Sequence, residues 1–272
     1  MLCSVVIPVY NQVNSLLITL AHFGRQTMDS NQFEVIVIDD GSTDELMSFD
    51  ERQLQSLCPG IRLFHCPNKG RASARNNGIR NAQSDNIIFC DGDRFPDGKF
   101  VEMHYCALQD MPINIGPSYD YWGPLKLAQQ ENESYRRFCR LPTYFKKVIS
   151  MFDTETAERI RWMGFLVGNS SVRKTVLQEA GMFDESFSEW GFEHFELGWR
   201  MGEKYGYDSF ALCEAANYHI PHPRANEFYR TQIEFGIEKI RSIHPTINPK
   251  IMFDMLCTDK SINTIMKEYY ND

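Results

Sequence analysis

The chain has 272 residues and a formal net charge of −8, enough length for one large domain or two small ones with a full core either way. The acidic balance argues against a nucleic-acid binder, because phosphate backbones demand a basic footprint. An anionic small molecule needs only a local cluster, and Lys69, Arg71 and Arg75 form one; Arg136, Arg137, Arg140, Lys146 and Lys147 form another. No apolar run approaches the roughly 18 residues of a membrane span. The N-terminus lacks the basic flank and cleavage site of a signal peptide, so Met1–Ile7 reads as the approach to a first strand. The eight cysteines show no Cys-x-x-Cys pair. Cys3, Cys66 and Cys90 read as small buried hydrophobes with free thiols, which suits a cytoplasmic protein.

Strand-like and helix-like patterns alternate from the start. Ser4–Val9 is a continuous apolar run, and Leu16, Leu17, Leu20 and Phe23 then recur at helical spacing until Gly24. Phe33–Ile38 gives a second buried strand, and Leu46, Phe49 and Leu57 mark a second helix. Ile61–Cys66 is a third strand, Ala72–Ala82 a third helix and Asn86–Cys90 a fourth strand. Apolar strands without polar alternation, separated by helices, predict an α/β fold with a mainly parallel sheet covered on both faces. Ligands of such sheets bind at the carboxyl ends of strands. Each acidic cluster of this half falls there.

The sharpest of these clusters is Asp91-Gly92-Asp93, where the fourth strand leaves the sheet. Hard cations take oxygen ligands, and Mn²⁺ or Mg²⁺ shares its shell between carboxylates and substrate phosphates; the same tripeptide is also ordinary turn chemistry. Asp39 and Asp40 end the second strand. A carboxylate there suits the N3–H of a uracil ring, against helix capping by this run as the plain alternative. Arg71 and Arg75 lie one helical turn apart and suit a diphosphate, against solvated surface arginines. Neither a G-x-G-x-x-G fingerprint nor a phosphate-binding G-x-x-x-x-G-K-[ST] loop is present.

Val5-Val6-Ile7-Pro8-Val9-Tyr10-Asn11, Val37-Ile38-Asp39-Asp40-Gly41-Ser42-Thr43-Asp44, Asn68-Lys69-Gly70 with Ala74-Arg75-Asn76-x-Gly78, and Asp91-Gly92-Asp93 together resemble family 2 glycosyltransferases of the GT-A fold. The resemblance implies a Rossmann-like, nucleotide-diphospho-sugar transferase fold and a metal-dependent transfer from a nucleotide-activated sugar. By it, Pro8 and Tyr10 flank the base, Asp40 contacts it, and Asp91 and Asp93 form the metal and diphosphate motif.

Between Met111 and Trp162 the periodicity weakens, and Tyr119, Tyr121 and Trp122 are read either as a sugar platform or as core. Trp190-Gly191-Phe192-Glu193-His194-Phe195-Glu196-Leu197-Gly198-Trp199-Arg200 resembles the acceptor-side motif of chondroitin- and hyaluronan-polymerising transferases and of polypeptide N-acetylgalactosaminyltransferases. The residue after the first Glu is usually Asp in inverting members and acts as general base; here it is His194. Imidazole is well suited to that task near neutral pH, whereas Glu193 at a helix N-terminus is stabilised as the anion. Capping of the helix that runs to Tyr205 is the plain reading for both. Tyr218-His219 before Pro221 resembles a motif whose histidine completes the metal shell. His219 matches best and His222 is the rival, with Arg224 near the leaving diphosphate.

The sequence thus predicts one GT-A domain over residues 1–226, its nucleotide-sugar half at 1–110 and its acceptor half at 111–226. A helical extension at 227–272 is expected to pack on that domain or on a partner. The expected activity is transfer from a UDP-sugar, with Mn²⁺ (or Mg²⁺), to a hydroxyl of a glycan, glycolipid or peptide, inverting rather than retaining. A silent sugar-nucleotide-binding module is the rival. The expected setting is cytoplasmic, with the inner face of the membrane as a possible contact surface.

Overall fold

The computed structural model describes residues 1–130, 133–187, 191–221 and 226–270. Its strands are β1 (Cys3–Val9), β2 (Phe33–Asp39), β3 (Ile61–His65), β4 (Asn86–Cys90), β5 (Arg94–Pro96), β6 (Ile113–Ile115), β7 (Ser118–Tyr121), β8 (Cys139–Arg140), β9 (Asn169–Arg173), β10 (Phe210–Leu212) and β11 (Asn217–His219). The helices that frame the site are α1 (Val13–Phe23), α2 (Arg71–Asn81), α3 (Phe100–Asp110), α4 (Thr143–Phe152), α5 (Glu193–Tyr205), α6 (Asn226–Ile243), α7 (Pro249–Cys257) and α8 (Ile262–Tyr270).

The main sheet has the order β10-β6-β9-β4-β1-β2-β3 and is parallel except for β9. The chain runs outward from β1 to β2 and β3, then crosses back to β4 on the other side of β1. Between β1 and β4 lies the topological switch point, where open α/β sheets make their ligand crevice. Pairing of β1 with β4 ends at Val6 and Phe89, so the two strands part before Pro8. A proline that lacks an N–H costs no ladder bond on the side where the strands have diverged. The apolar runs predicted as the first, second and fourth strands are buried along their whole length. The second predicted helix is instead a short 3₁₀ turn at Glu45–Ser48 and a short helix at Glu51–Gln55.

Strand β9 escaped the sequence reading because Asn169, Ser170 and Ser171 are polar and buried. Their side chains are satisfied locally: His104 on α3 bonds Ser171 Oγ at 2.9 Å and Asn169 Oδ1 at 2.9 Å. Asn169 Nδ2 donates to the carbonyls of Pro117 and Ala215. A fully satisfied buried network is tolerated where a lone polar group is not. The weakly periodic segment after Met111 builds a second sheet of order β5-β11-β7-β8. One face of it carries Phe95, Tyr119, Tyr121 and Tyr218, packed with Ile18 and Tyr135. Tyr121 is therefore core, Tyr119 stacks on Tyr218, and Trp122 is 67% exposed.

The C-terminal helices pack on their own domain: Ile237, Ile240, Met252, Met255, Ile265 and Met266 are buried in the same core as Val6 and Phe89. Lys147 on α4 fastens them, donating to the carbonyls of Asp254 and Met255 at 2.9 and 3.1 Å. The cysteines are all free thiols, Cys3 and Cys90 buried as expected and Cys66 partly so. No helix among the described residues is long and apolar enough to cross a membrane.

Helix α2 lies tight against β1 at Gly78, where a Cβ would come within 2.3 Å of Val6 Cγ1. Val6 is buried in the central strand and cannot retreat, so Gly78→Ala should cost about 1–3 kcal/mol. Urea unfolding of the variant beside the native chain measures this as a lowered midpoint at unchanged slope.

Candidate active site

A cavity of about 670 Å³ opens at the carboxyl ends of β1 and β4. Pro8, Tyr10, Asp40, Arg75, Asp91, Asp93, Glu193, His194 and His219 all line it. Every site residue expected from the sequence is therefore in one place, apart from Arg224; Arg224 and the rival ligand His222 lie outside the described residues, as does Trp190.

Its centre is a buried charge cluster. Arg75 is 2% exposed, so it is no surface arginine. One of its terminal nitrogens donates to Glu193 Oε1 at 2.6 Å and the other to Asp91 Oδ1 at 2.9 Å. Its Cζ lies 5.7 Å from the centre of the Phe183 ring. Burial by itself would raise both carboxyls, but nearby guanidiniums, Arg75 foremost, outweigh it and hold Glu193 and Asp91 below their ordinary range. Arg94 adds a longer contact to Asp91 at 3.4 Å and also donates to Ser118 Oγ. Gly168 leaves room for that arginine, since a Cβ there would meet its Nε at 2.3 Å.

Glu193 is the first residue of α5, aimed by a turn in which Gly191 and Phe192 both have positive φ, 81° and 72°. Left-handed backbone is costly for phenylalanine. Phe192 is held there by α6, packing where Gly236 has no side chain; a Cβ would meet its ring at 2.2 Å. Glu193 Oε2 and His194 Nδ1 are buried with no hydrogen-bond partner among the described residues. Burial lowers the His194 pKa to about 4, which leaves its imidazole neutral near pH 7. Glu196 and Arg200, also in the acceptor-side motif, point elsewhere. Glu196 accepts from Arg200 Nε at 2.6 Å and from His244 Nε2 at 2.9 Å, and Arg200 donates to the carbonyl of Met182 at 2.6 Å. This half of the motif anchors α5 to its neighbours.

At the opposite wall, Asp93 Oδ2 lies 3.8 Å from His219 Nε2. A carboxylate and an imidazole this close form a donor pair that fits a divalent transition metal. Among the described residues no group of three or more His, Cys, Asp or Glu side chains is placed to hold a metal by itself. Any cation at Asp93 and His219 would therefore need ligands beyond the described His, Cys, Asp and Glu side chains.

Asp40 lines the cavity with both carboxylate oxygens engaged, accepting from the backbone N–H groups of Lys69 and Gly70 at 2.8 and 2.9 Å. Burial raises its pKa, tempered by those bonds. Asp39 is a loop tie, accepting from Ser42 N and His65 Nδ1, and Asp44 caps the turn at Leu46. The capping reading thus explains Asp44, while Asp39 ties the loop. Sequence reasoning missed Gln12, which donates to Asp93 Oδ2 at 3.5 Å, and Asp120, which meets His219 Nδ1 at 3.0 Å. Both contacts arise from strand pairing and loop approach that no local pattern encodes.

A mainly parallel sheet with one reversed strand, a second small sheet and a charged cleft at the switch point define the GT-A class of nucleotide-diphospho-sugar transferase folds. The chain belongs to glycosyl transferase family 2, whose profile matches residues 4–177. Validoxylamine A glucosyltransferase of Streptomyces hygroscopicus subsp. jinggangensis is 28% identical over 273 residues, covering 93% of this chain and 63% of the relative. Chondroitin synthase of Escherichia coli is 27% identical over 227 residues, covering 73% of this chain and 32% of that enzyme. The chain thus spans less than two thirds of the length of either. Among solved structures, S. aureus TarS 1-349 in complex with UDP-GlcNAc superposes with a TM-score of 0.63 at 14% identity, covering 94% of this chain and 70% of TarS.

Replacing Arg75 by methionine strands the buried Glu193 carboxylate and leaves the partly exposed Asp91 only its longer contact to Arg94. Breaking such a buried pair costs about 3–5 kcal/mol. In the native chain both carboxyls sit below their unfolded pKa, so they stabilise above the ordinary carboxylate range and that stability is lost as pH falls through the folded values. In Arg75→Met burial loses its main opponent, with Arg71 and His194 left to act against it, and the Glu193 carboxyl rises, so the variant is penalised at neutral pH and relieved on acidification. Unfolding curves at pH 7 and about pH 4 should show the gap to the native chain narrowing at the lower pH.

Proposed function

We propose that this glycosyltransferase moves a sugar from a UDP-sugar to a hydroxyl of a glycan, glycolipid or peptide acceptor, with inversion at the anomeric carbon. The carrying observation is the convergence of the donor-side residues Pro8, Tyr10, Asp40, Asp91 and Asp93 with the acceptor-side residues Glu193 and His194 around one cavity. The UDP and UDP-GlcNAc complexes of TarS, which has the same fold, favour a uridine donor.

In this reading Pro8 and Tyr10 flank the uracil and Asp40 fixes the loop that borders it. Each Asp40 oxygen keeps a second lone pair for the ring N3–H. Asp93 and His219 would hold Mn²⁺ (or Mg²⁺), which would supply positive charge against the departing diphosphate. Arg71 and Arg75, which line the same cavity, add fixed positive charge. His194, neutral and lining the cavity, takes the acceptor proton as the hydroxyl oxygen attacks. Glu193, kept anionic by Arg75, stabilises the resulting imidazolium. The buried Phe192 and Phe195 beside them limit water at the acceptor side.

A base must be deprotonated to act, so activity should fall only as pH drops through its pKa. With His194 as base, kcat/KM stays level from neutral pH down to about 5 and declines towards about 4. Loss of activity in His194→Gln with UDP affinity preserved supports that assignment; full activity would transfer the role to Glu193. Donor hydrolysis tests the wider reading. The native chain should release UDP slowly from one UDP-sugar with Mn²⁺ present, and Asp93→Ala should slow release by about 100-fold or more. Binding of UDP with no turnover of any donor, acceptor included, would leave a silent binding module instead.

A further inference from the structure

The small sheet places one row of charged residues side by side. Arg94 on β5, His219 on β11, Asp120 on β7 and Arg140 on β8 are directly opposite one another across the ladders. Directly paired residues share a face of a sheet, and the neighbouring row, Phe95, Tyr218, Tyr119 and further along Tyr121, fills the other face with aromatic core. The sheet is therefore amphipathic, its polar face turned to the cavity that Arg94 and His219 line. Within that row the Asp120 carboxylate meets His219 Nδ1 at 3.0 Å, while His219 Nε2 faces Asp93 Oδ2 at 3.8 Å.

We propose that Asp120 is a positioning residue for the metal: it holds the His219 ring with the proton on Nδ1 and the Nε2 lone pair turned to the cation site beside Asp93. The inference rests on the metal reading of Asp93 and His219 given above. An ionised carboxylate is an acceptor only, so the nitrogen that faces it must carry the hydrogen. A ring nitrogen that carries hydrogen cannot ligate, so the contact assigns Nε2 as the ligand. It also fixes the rotation of the ring about its Cβ–Cγ bond, which a free histidine must forfeit on binding. Carboxylate-supported imidazoles are better donors for the same reason, and loss of such a support weakens metal affinity by about 10–100-fold.

The role makes no demand on the reaction itself, so it is read without turnover. Mn²⁺ titrated into the native chain with UDP present, followed by the loss of the free-ion electron paramagnetic resonance signal, gives the metal affinity. Asp120→Asn and Asp120→Ala should bind Mn²⁺ about 10–100-fold more weakly, with the affinity for UDP in the absence of metal unchanged. Asp120→Glu should recover part of the loss. Nitrogen-15 spectra of the metal-free chain should report His219 as the Nδ1–H tautomer, and a mixture of tautomers in Asp120→Ala. The side chain of Asp120 is 32% exposed, so these variants are expected to fold, and a thermal melt of each metal-free protein checks this. Native-like Mn²⁺ affinity in Asp120→Ala, with His219→Ala strongly weakened, overturns the proposal while leaving the metal site standing. Native-like affinity in both His219→Ala and Asp93→Ala overturns the metal site and the proposal with it.

Discussion

Arg75 joins the two halves of this enzyme through a single guanidinium. Asp91 belongs to the loop that ends β4, and Glu193 opens α5 more than a hundred residues later, yet both bond the same buried side chain. Glu193 is buried and Asp91 partly so, and two carboxylates gathered on one site would repel without a cation between them. Like charges in low dielectric would force one to take a proton. With Arg75 in place both stay ionised, and the donor-side loop is fixed relative to the acceptor-side helix. The fold and the site are in this sense stabilised by the same contact.

That contact depends in turn on where the sheet opens. Because β1 and β4 part beyond Val6, the loops after them border one crevice, and α2 delivers Arg75 into it from the crossover between β3 and β4. The remaining residues of the Ala74-Arg75-Asn76-x-Gly78 run have separate tasks on the same helix. Asn76 holds the backbone of Phe183 through both its amide nitrogen and oxygen, and Gly78 lets the helix approach β1. A short motif here encodes one charge for chemistry, one clamp for a distant loop and one absence of a side chain for packing.

The parallel strands were legible because burial on both faces leaves an unbroken apolar run, and the site was legible because its acids sit where such runs stop. Strand β9 was not legible, since its buried Asn169, Ser170 and Ser171 look like loop until His104 is seen to satisfy Asn169 and Ser171 and the Leu166 carbonyl Ser170. The second sheet was obscured by strands of two to four residues, too short for a period to register. In the sequence Arg75 reads as a site residue with a solvated surface arginine as the plain alternative, and tertiary placement shows it buried. Glu196 and Arg200 read as part of the acceptor motif, yet their bonds to each other, to His244 and to the loop at Met182 make them structural. Motif membership located the region, and hydrogen-bond partners separated the residues that face substrate from those that hold them there.

The central claim is that the cleft between β1 and β4 is a uridine-diphosphate and metal site built around Arg75. Crystals grown with UDP and Mn²⁺, with diffraction recorded near the manganese edge, test it most directly. The account predicts an anomalous peak between Asp93 and His219, the uracil beside Tyr10 and Asp40, and Arg75 still bonded to Glu193. Uridine bound elsewhere, or seated in the cleft with no manganese peak between Asp93 and His219, would contradict it.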